Sequence, residues 1–321
     1  KSEGTEVLFE IPYSKETNFV LLHGYGSNPK DYPWLEKELK ERGYKVQAPT
    51  LAHSHQDHAN EKEDMESFWK HVKLDENSII IAHSLGSIVA LKALEKINHK
   101  IKKLVLVAGF TEPKFKDKLR PFDYNWKFDF NKIKENCRSI TILHDLNDYA
   151  VPVEQAHKLN DLLGGELVKV NAEASHFTGK TEPEVLNASL EKWPIFTTRI
   201  DTLFGVTFLV ISAQHSRLNE LVTKEQKKHV DAFLKKVKST KQEDMDKMEK
   251  EGVFTGSYAL HPLTGKKLPI WTGNFVVADY GSGVVMAVPA HDDRDFTFAK
   301  KYGLPIHEVV VPNRIDKKNP P

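Results

Sequence analysis

The residues of this 321-residue chain whose types and spacing point to chemistry are Ser84, Asp148 and His176. Ser84 stands in Ala82-His83-Ser84-Leu85-Gly86, after the apolar run Ile79-Ile80-Ile81 and ahead of a helical pattern. Small residues around a serine at a strand-to-helix turn permit a tight turn that exposes the hydroxyl. Asp148, in Asp148-Tyr149-Ala150-Val151-Pro152, and His176, in Ser175-His176-Phe177, each follow a later apolar run. A hydroxyl nucleophile, an imidazole base and an orienting carboxylate, in the order Ser, Asp, His, suit acyl transfer from an ester or amide. Asp145 is the alternative acid. The loop His23-Gly24-Tyr25-Gly26 offers the N–H of Tyr25, which with that of Leu85 would receive an oxyanion.

A second cluster, His53-Ser54-His55-Gln56-Asp57-His58, spells the H-x-H-x-D-H string of the metallo-β-lactamase superfamily, with donors that suit zinc. It falls in a loop within an otherwise continuous strand–helix pattern, so it is read as a polar surface loop, with no metal and no cofactor expected.

These residues need a scaffold, and the surrounding pattern supplies one. Strands are expected at 19–22, 44–48, 78–82, 103–107, 140–143 and 166–170, with helices at 34–42, 64–72, 85–97 and 153–163. Short, nearly all-apolar strands alternating with amphipathic helices imply a parallel sheet covered on both faces, a three-layer α/β sandwich. With the Ser84 turn and the order Ser, Asp, His, it resembles the α/β-hydrolase fold. The rhythm ends near Trp193. Beyond it the chain turns β-rich, with strands expected at 195–198, 206–212, 268–270, 275–278 and 284–288. A charged helical stretch at 218–250 interrupts them, and its Lys227, Lys228, Lys235, Lys236 and Lys238 are read as a solvated face. The opening run Val7-Leu8-Phe9-Glu10-Ile11 reads as a strand, and the polar tail 311–321 as frayed.

Lys and Arg total 46 against 45 Asp and Glu, which argues against a dedicated polyanion binder. A single cysteine, Cys137, excludes an internal disulfide and makes a reducing cytoplasm the default. No apolar run approaches the ~18–20 residues of a membrane span, so no membrane partner is expected. A chain opening on Lys1 with charged residues shows no signal peptide and is expected to be part of something longer.

Residues 18–193 resemble the small serine hydrolases related to retinoblastoma-binding protein nine. F-V-L-L-H-G, I-A-H-S-L-G, L-V-L-V-A-G-F, F-D-F-N-K-I, D-Y-A-V-P and S-H-F carry the resemblance. It implies Ser84 as nucleophile, His176 as base and Asp148 as its orienting acid, acting on a small ester or amide. Ala82 and Ser175 depart from the glycines usual at their positions.

The outer segments carry a different signature. Phe196-Thr197-Thr198-Arg199-Ile200-Asp201-Thr202, G-V-F-T-G-S-Y-A-L-H-P-L-T-G-K-K-L-P-I-W, and the stretch from Tyr280 through Met286-Ala287-Val288-Pro289-Ala290-His291-Asp292-Asp293-Arg294-Asp295 resemble the editing domain of leucyl-tRNA synthetases. Residues 1–17 and 194–321 then form one discontinuous α+β domain, interrupted by the hydrolase where the family has a short turn, and ending before the family's domain does. The resemblance implies deacylation of mischarged tRNA(Leu). Asp295 would hold the α-ammonium of the misattached amino acid, and Thr202 would obstruct leucine. Thr197, Thr198 and Arg199 would lie near the terminal adenosine and the scissile ester. Tyr280, Met286 and Val288 would line the pocket, with Asp292 and Arg294 supporting it. The implied partners are the tRNA(Leu) acceptor end and the remainder of a synthetase. Ile200 replaces the family's proline. No H-I-G-H or K-M-S-K-S string occurs, so this chain alone is not expected to charge tRNA.

Overall fold

The computed structural model describes residues 4–31, 33–54, 56–115, 118–239, 249–278 and 281–310. The chain divides into two compact units, one of Lys15–Ser189 and the other of Lys1–Ser14 with Leu190–Pro321.

The first unit is built on a six-stranded sheet in the order Glu166–Val170, Ile140–Asp145, Lys103–Val107, Ser78–His83, Asn18–Leu22, Lys45–Gln47, with every neighbour parallel. The inner strands are wholly apolar or nearly so because both faces are covered. Val20, Leu22, Ile80, Leu104, Leu106 and Ile142 bury against one set of helices. The helix Leu85–Leu94 lies deepest there, with every residue from Leu85 to Leu94 buried. It starts within one residue of the strand Ser78–His83, which forces the tight turn at Ser84.

The second unit holds a mixed six-stranded sheet ordered Glu191–Thr197, Thr5–Ile11, Gly252–Leu260, Lys267–Gly273, Phe208–Ser212, Val284–Ala287. Only the Lys267–Gly273 and Phe208–Ser212 strands run parallel; the other pairs are antiparallel. Val7, Phe9 and Ile11 alternate inward beside Trp193 and Ile195, as a sheet with one buried face requires. The strand Glu191–Thr197 starts four residues before the position expected from sequence. Ile11 faces Glu191 and Phe9 faces Trp193, so Trp193 belongs to this sheet rather than to the end of the preceding unit.

Three expectations change. Residues 275–278 form no strand. They follow a turn fixed by Asn274, whose Oδ1 accepts the Glu251 N–H at 3.0 Å, and Phe275 packs on Phe298 at 5.3 Å. Of the helical stretch expected at 218–250, residues 240–248 lie outside the described residues. The described part holds the helices Leu218–Leu221 and Lys227–Ser239, separated where the Thr223 N–H is taken by the Thr255 carbonyl at 2.9 Å. Within Lys227–Ser239, Val230, Phe233 and Val237 are buried, and Lys227, Lys228, Lys235, Lys236 and Lys238 are exposed. The strand Gly252–Leu260 has no counterpart among the strands read from sequence. Among the described residues no helix is long and apolar enough to cross a membrane.

Candidate functional sites

In the first unit, Ser84 occupies the strand-to-helix turn with φ 51° and ψ −119°, a left-handed conformation that costs a non-glycine residue ~1–3 kcal/mol. The neighbours enforce it. The Ser84 N–H donates to the Val107 carbonyl at 2.8 Å. A Cβ at Gly86 would lie 2.6 Å from the His23 carbonyl oxygen and 2.8 Å from that of Leu22, so only glycine lets the helix approach the neighbouring strand end. A Cβ at Gly24 would stand 3.0 Å from the Ser84 Cβ, which places the His23–Gly26 loop against the serine. The N–H groups of Tyr25 and Leu85 meet no protein acceptor among the described residues.

His176 and Asp148 form a direct pair. The His176 ring Nδ1 lies 2.7 Å from Asp148 Oδ2, and both side chains are buried. Asp148 Oδ1 accepts the N–H groups of Ala150 at 2.7 Å and Val151 at 2.8 Å. Burial by itself would raise the Asp148 pKa. The bond to His176 and the two backbone donors outweigh it and hold the carboxyl below its ordinary value. An ionised Asp148 keeps the proton on His176 Nδ1, which leaves Nε2 as the basic nitrogen.

Asp145, the alternative acid, serves the backbone instead. Its Oδ1 accepts from Asn147 and Ala172, and its Oδ2 from the His176 N–H at 3.3 Å. His83 also fixes the His176 loop. Its Nε2 donates to the His176 carbonyl at 2.8 Å, and the two rings lie 4.7 Å apart. Burial, then the neighbouring His176, lowers the His83 pKa to about 3, so it remains a neutral donor. Ser175 ties the loops together by donating to the Asn147 carbonyl at 2.9 Å and accepting the Tyr149 N–H at 3.2 Å. Residue types gave no sign of these roles for His83 and Ser175; the signal lies only in their positions beside Ser84 and His176.

The histidine string is not a polar surface loop throughout. His53 is fully buried, with Nδ1 2.8 Å from Asp64 Oδ2, and its own N–H also bonds to Asp64. Tyr124 donates to the same carboxylate. An imidazole tied to a core carboxylate fastens this loop to the helix Glu61–His71. His55 lies outside the described residues, and among those described no group of three or more His, Cys, Asp or Glu is placed to hold a metal ion.

In the second unit a cleft of about 620 Å³ gathers most of the second set of expected residues. Thr197, Thr198, Arg199, Thr202, Met286, Val288, Asp292, Arg294 and Asp295 all line it. Tyr280 lies outside the described residues. Residue types had not marked Phe196, Phe275, Val276, Val277, Val285 and His291, which complete the lining. The Arg199 N–H donates to Thr197 Oγ1 at 3.0 Å, and Thr202 Oγ1 donates to the Arg199 carbonyl at 2.8 Å, which fixes the turn that presents both threonines. The Arg199 side chain pairs with Asp201 at 2.8 Å on the surface. Asp292 caps the helix Asp293–Tyr302, accepting the N–H groups of Arg294 and Asp295. Asp295 is held by the Val288 N–H at 2.8 Å to Oδ2. Burial, with Asp292 nearby, raises the Asp295 pKa to about 6 against the pull of the Val288 N–H. A buried carboxyl so raised suits a cationic partner, which would restore its charge.

Comparison with known proteins finds two families along the chain. The serine hydrolase family matches residues 19–198. The chain belongs to that family. The leucyl-tRNA synthetase editing domain matches residues 181–320. The two matches overlap along the chain at residues 181–198, which include the helix Pro183–Ser189 of the first unit and the strand Glu191–Thr197 of the second. Leucine–tRNA ligase of Clostridium perfringens is 43% identical over 173 residues, covering 51% of this chain and 20% of that protein. That of Mycoplasmopsis pulmonis is 51% identical over 129 residues, covering 40% and 16%. The chain thus spans about a fifth of the length of these relatives. Among solved structures, the ydeN gene product of Bacillus subtilis is similar at 23% identity and TM-score 0.47, covering 53% of this chain and 95% of that one. The LeuRS–tRNA–LeuAMS complex of Agrobacterium radiobacter is similar at 32% identity and TM-score 0.33, covering 39% and 15%.

Proposed function

We propose that the serine hydrolase unit cleaves a small ester or amide through Ser84, His176 and Asp148. The observation that carries this reading is the 2.7 Å bond from His176 to a buried, ionised Asp148, on a loop whose His176 carbonyl is held by His83, the residue before a serine in a left-handed turn. In the reaction, Ser84 Oγ attacks the carbonyl carbon as His176 Nε2 takes its proton. The oxyanion forms against the N–H groups of Tyr25 and Leu85. Collapse expels the alcohol or amine, which takes the proton from His176, and water then releases the acyl group by the same route. A fluorophosphonate should label the intact chain and fail to label Ser84→Ala. Asp148→Asn should lower ester turnover by about 10³–10⁴-fold. No labelling of a folded chain would reject the reading and leave the unit a docking scaffold.

A second activity is supported by the cleft of the editing domain, where Thr197, Thr202 and the raised Asp295 line one cavity. The reading is hydrolysis of a near-leucine amino acid from the acceptor end of tRNA(Leu), in the setting of the remainder of a synthetase. An aminoacyl ester needs little activation, so seating its α-ammonium on Asp295 and excluding leucine at Thr202 suffices. Asp295→Ala should abolish deacylation of isoleucyl-tRNA(Leu). Thr202→Ala should admit leucyl-tRNA(Leu), raising its hydrolysis by about 10–100-fold. Unchanged deacylation by Asp295→Ala would reject this reading.

A further inference from the structure

The serine hydrolase unit holds a further cavity of about 70 Å³, lined by His83 but not by Ser84. One water occupies ~10–15 Å³ on this measure, so the space admits several heavy atoms. Its walls are apolar: Leu21, Ile81 and Val107 from three neighbouring strands meet Leu35, Phe177 and Val185 from the covering segments. One wall carries a carboxyl. Glu182 is only 5% exposed, and its Oε1 accepts the Gly179 N–H at 2.6 Å. Its Oε2 is buried with no hydrogen-bond partner among the described residues. A buried carboxylate oxygen left in this state costs free energy that a donor would recover.

The surroundings select the sign of that donor. Burial first, then the acidic Glu184, Glu173 and Asp145, push the Glu182 pKa upward against the Gly179 N–H. Lys180, which is exposed, is the cationic residue among those lining the cavity. A second anion would add to the negative potential that Glu184, Glu173 and Asp145 place on Glu182, whereas a cation offsets it and favours the ionised carboxylate. An ammonium group is both that cation and a donor for Oε2.

We propose that this cavity binds a small primary alkylammonium of about three or four carbons, its chain against Leu21, Ile81, Val107 and Val185 and its nitrogen on Glu182 Oε2. His83 and Phe177 line the cavity and directly adjoin Ser84 and His176 in the chain. Occupancy therefore touches the chain neighbours of those residues, although the site requires no turnover at Ser84.

The test is thermal unfolding of the full chain titrated with n-propylammonium chloride, with n-propanol and potassium chloride as matched controls. A saturable rise in Tm is expected for propylammonium, with half-saturation about tenfold or more below that of propanol. Glu182→Gln keeps an acceptor for the Gly179 N–H and should bring propylammonium to the propanol level. Leu35→Phe fills the cavity with Glu182 intact and should remove the response to both, which decides the matter should Glu182→Gln fail to fold. Equal potency of the two ligands, a response surviving Leu35→Phe, or no saturable response from the folded chain would each overturn the proposal. None of these results bears on fluorophosphonate labelling of Ser84, so the two readings fail separately.

Discussion

At the scale of residues, the two candidate sites place opposite demands on a buried carboxyl. Asp148 is given His176 and two backbone N–H groups and stays ionised, whereas Asp295 is given one N–H and an acidic neighbour. The consequence for stability has a definite sign. The folded pKa of Asp295 is about 6 against an ordinary 3.8, so the folded chain binds its proton more tightly than the unfolded chain does. This contribution is complete below about pH 4 and is lost as the pH rises through about 6. Asp295→Asn, which mimics the protonated form, should therefore stabilise the editing domain at pH 7 by about 2–3 kcal/mol and change little at pH 4. Denaturant unfolding at the two pH values measures this, and an equal gain at both would assign the effect to packing instead. The stabilised variant should also lose deacylation, because the charge that strains the fold is the one proposed to hold the ammonium. The tight turn at Ser84 was legible in sequence because it is a local feature, small residues between an apolar run and a helical pattern, and the pairing of His176 with Asp148 was expected from their order along the chain. Sequence preferred Asp148 and kept Asp145 as the alternative, since both carboxylates stand at the end of one strand; in the folded loop Asp148 reaches the imidazole ring and Asp145 takes backbone N–H groups.

At the scale of elements, legibility follows the strength of periodicity. The parallel strands of the serine hydrolase unit announce themselves because burial on both faces makes them continuous apolar runs. Gly252–Leu260 does not, because Gly256 at φ +92° accompanies a register shift between Phe254 and Tyr258 that breaks the alternation. Residues 275–278 err in the other direction: their apolar run faces a cleft and an aromatic cluster rather than a ladder of strands. A close approach of backbones leaves its own mark in sequence, as Gly86 illustrates. In Gly86→Ala the new methyl would meet two carbonyl oxygens at under 3 Å, neither on a flexible side chain. The helix Leu85–Leu94 would have to withdraw, at about 1–3 kcal/mol. The variant should unfold the serine hydrolase unit at a lower temperature and label more slowly with fluorophosphonate. Gly24→Ala, whose methyl would press on Ser84 Cβ at 3.0 Å, should slow labelling with a smaller loss of stability. If Gly86→Ala left both properties unchanged, the close approach would not be what holds the serine turn.

At the scale of the whole molecule, the chain leaves the editing-domain sheet after Ile11 and returns opposite it at Glu191, the last pair of an antiparallel hairpin. Everything between these residues is, in effect, the hairpin's loop, and its cost depends on whether it is folded. A folded insert returns the chain to the place where it left. An unfolded insert is a flexible loop of about 180 residues, which by loop-closure entropy costs ~3 kcal/mol more than a short turn. The coupling between the units is therefore asymmetric. Unfolding the serine hydrolase unit should weaken the editing domain by about that amount, whereas losing the editing domain removes no loop constraint from the core of Lys15–Ser189. Replacing residues 13–189 with a four-residue turn should accordingly leave an editing domain at least as stable as in the intact chain. Excised Lys15–Ser189 should keep its fluorophosphonate reactivity. Calorimetry of the intact chain should resolve two transitions, with Gly86→Ala moving the serine hydrolase transition directly and Asp295→Asn moving only that of the editing domain at pH 7. A single transition displaced equally by both substitutions would mean that the two cores fold as one, and the hairpin account of the insertion would fail.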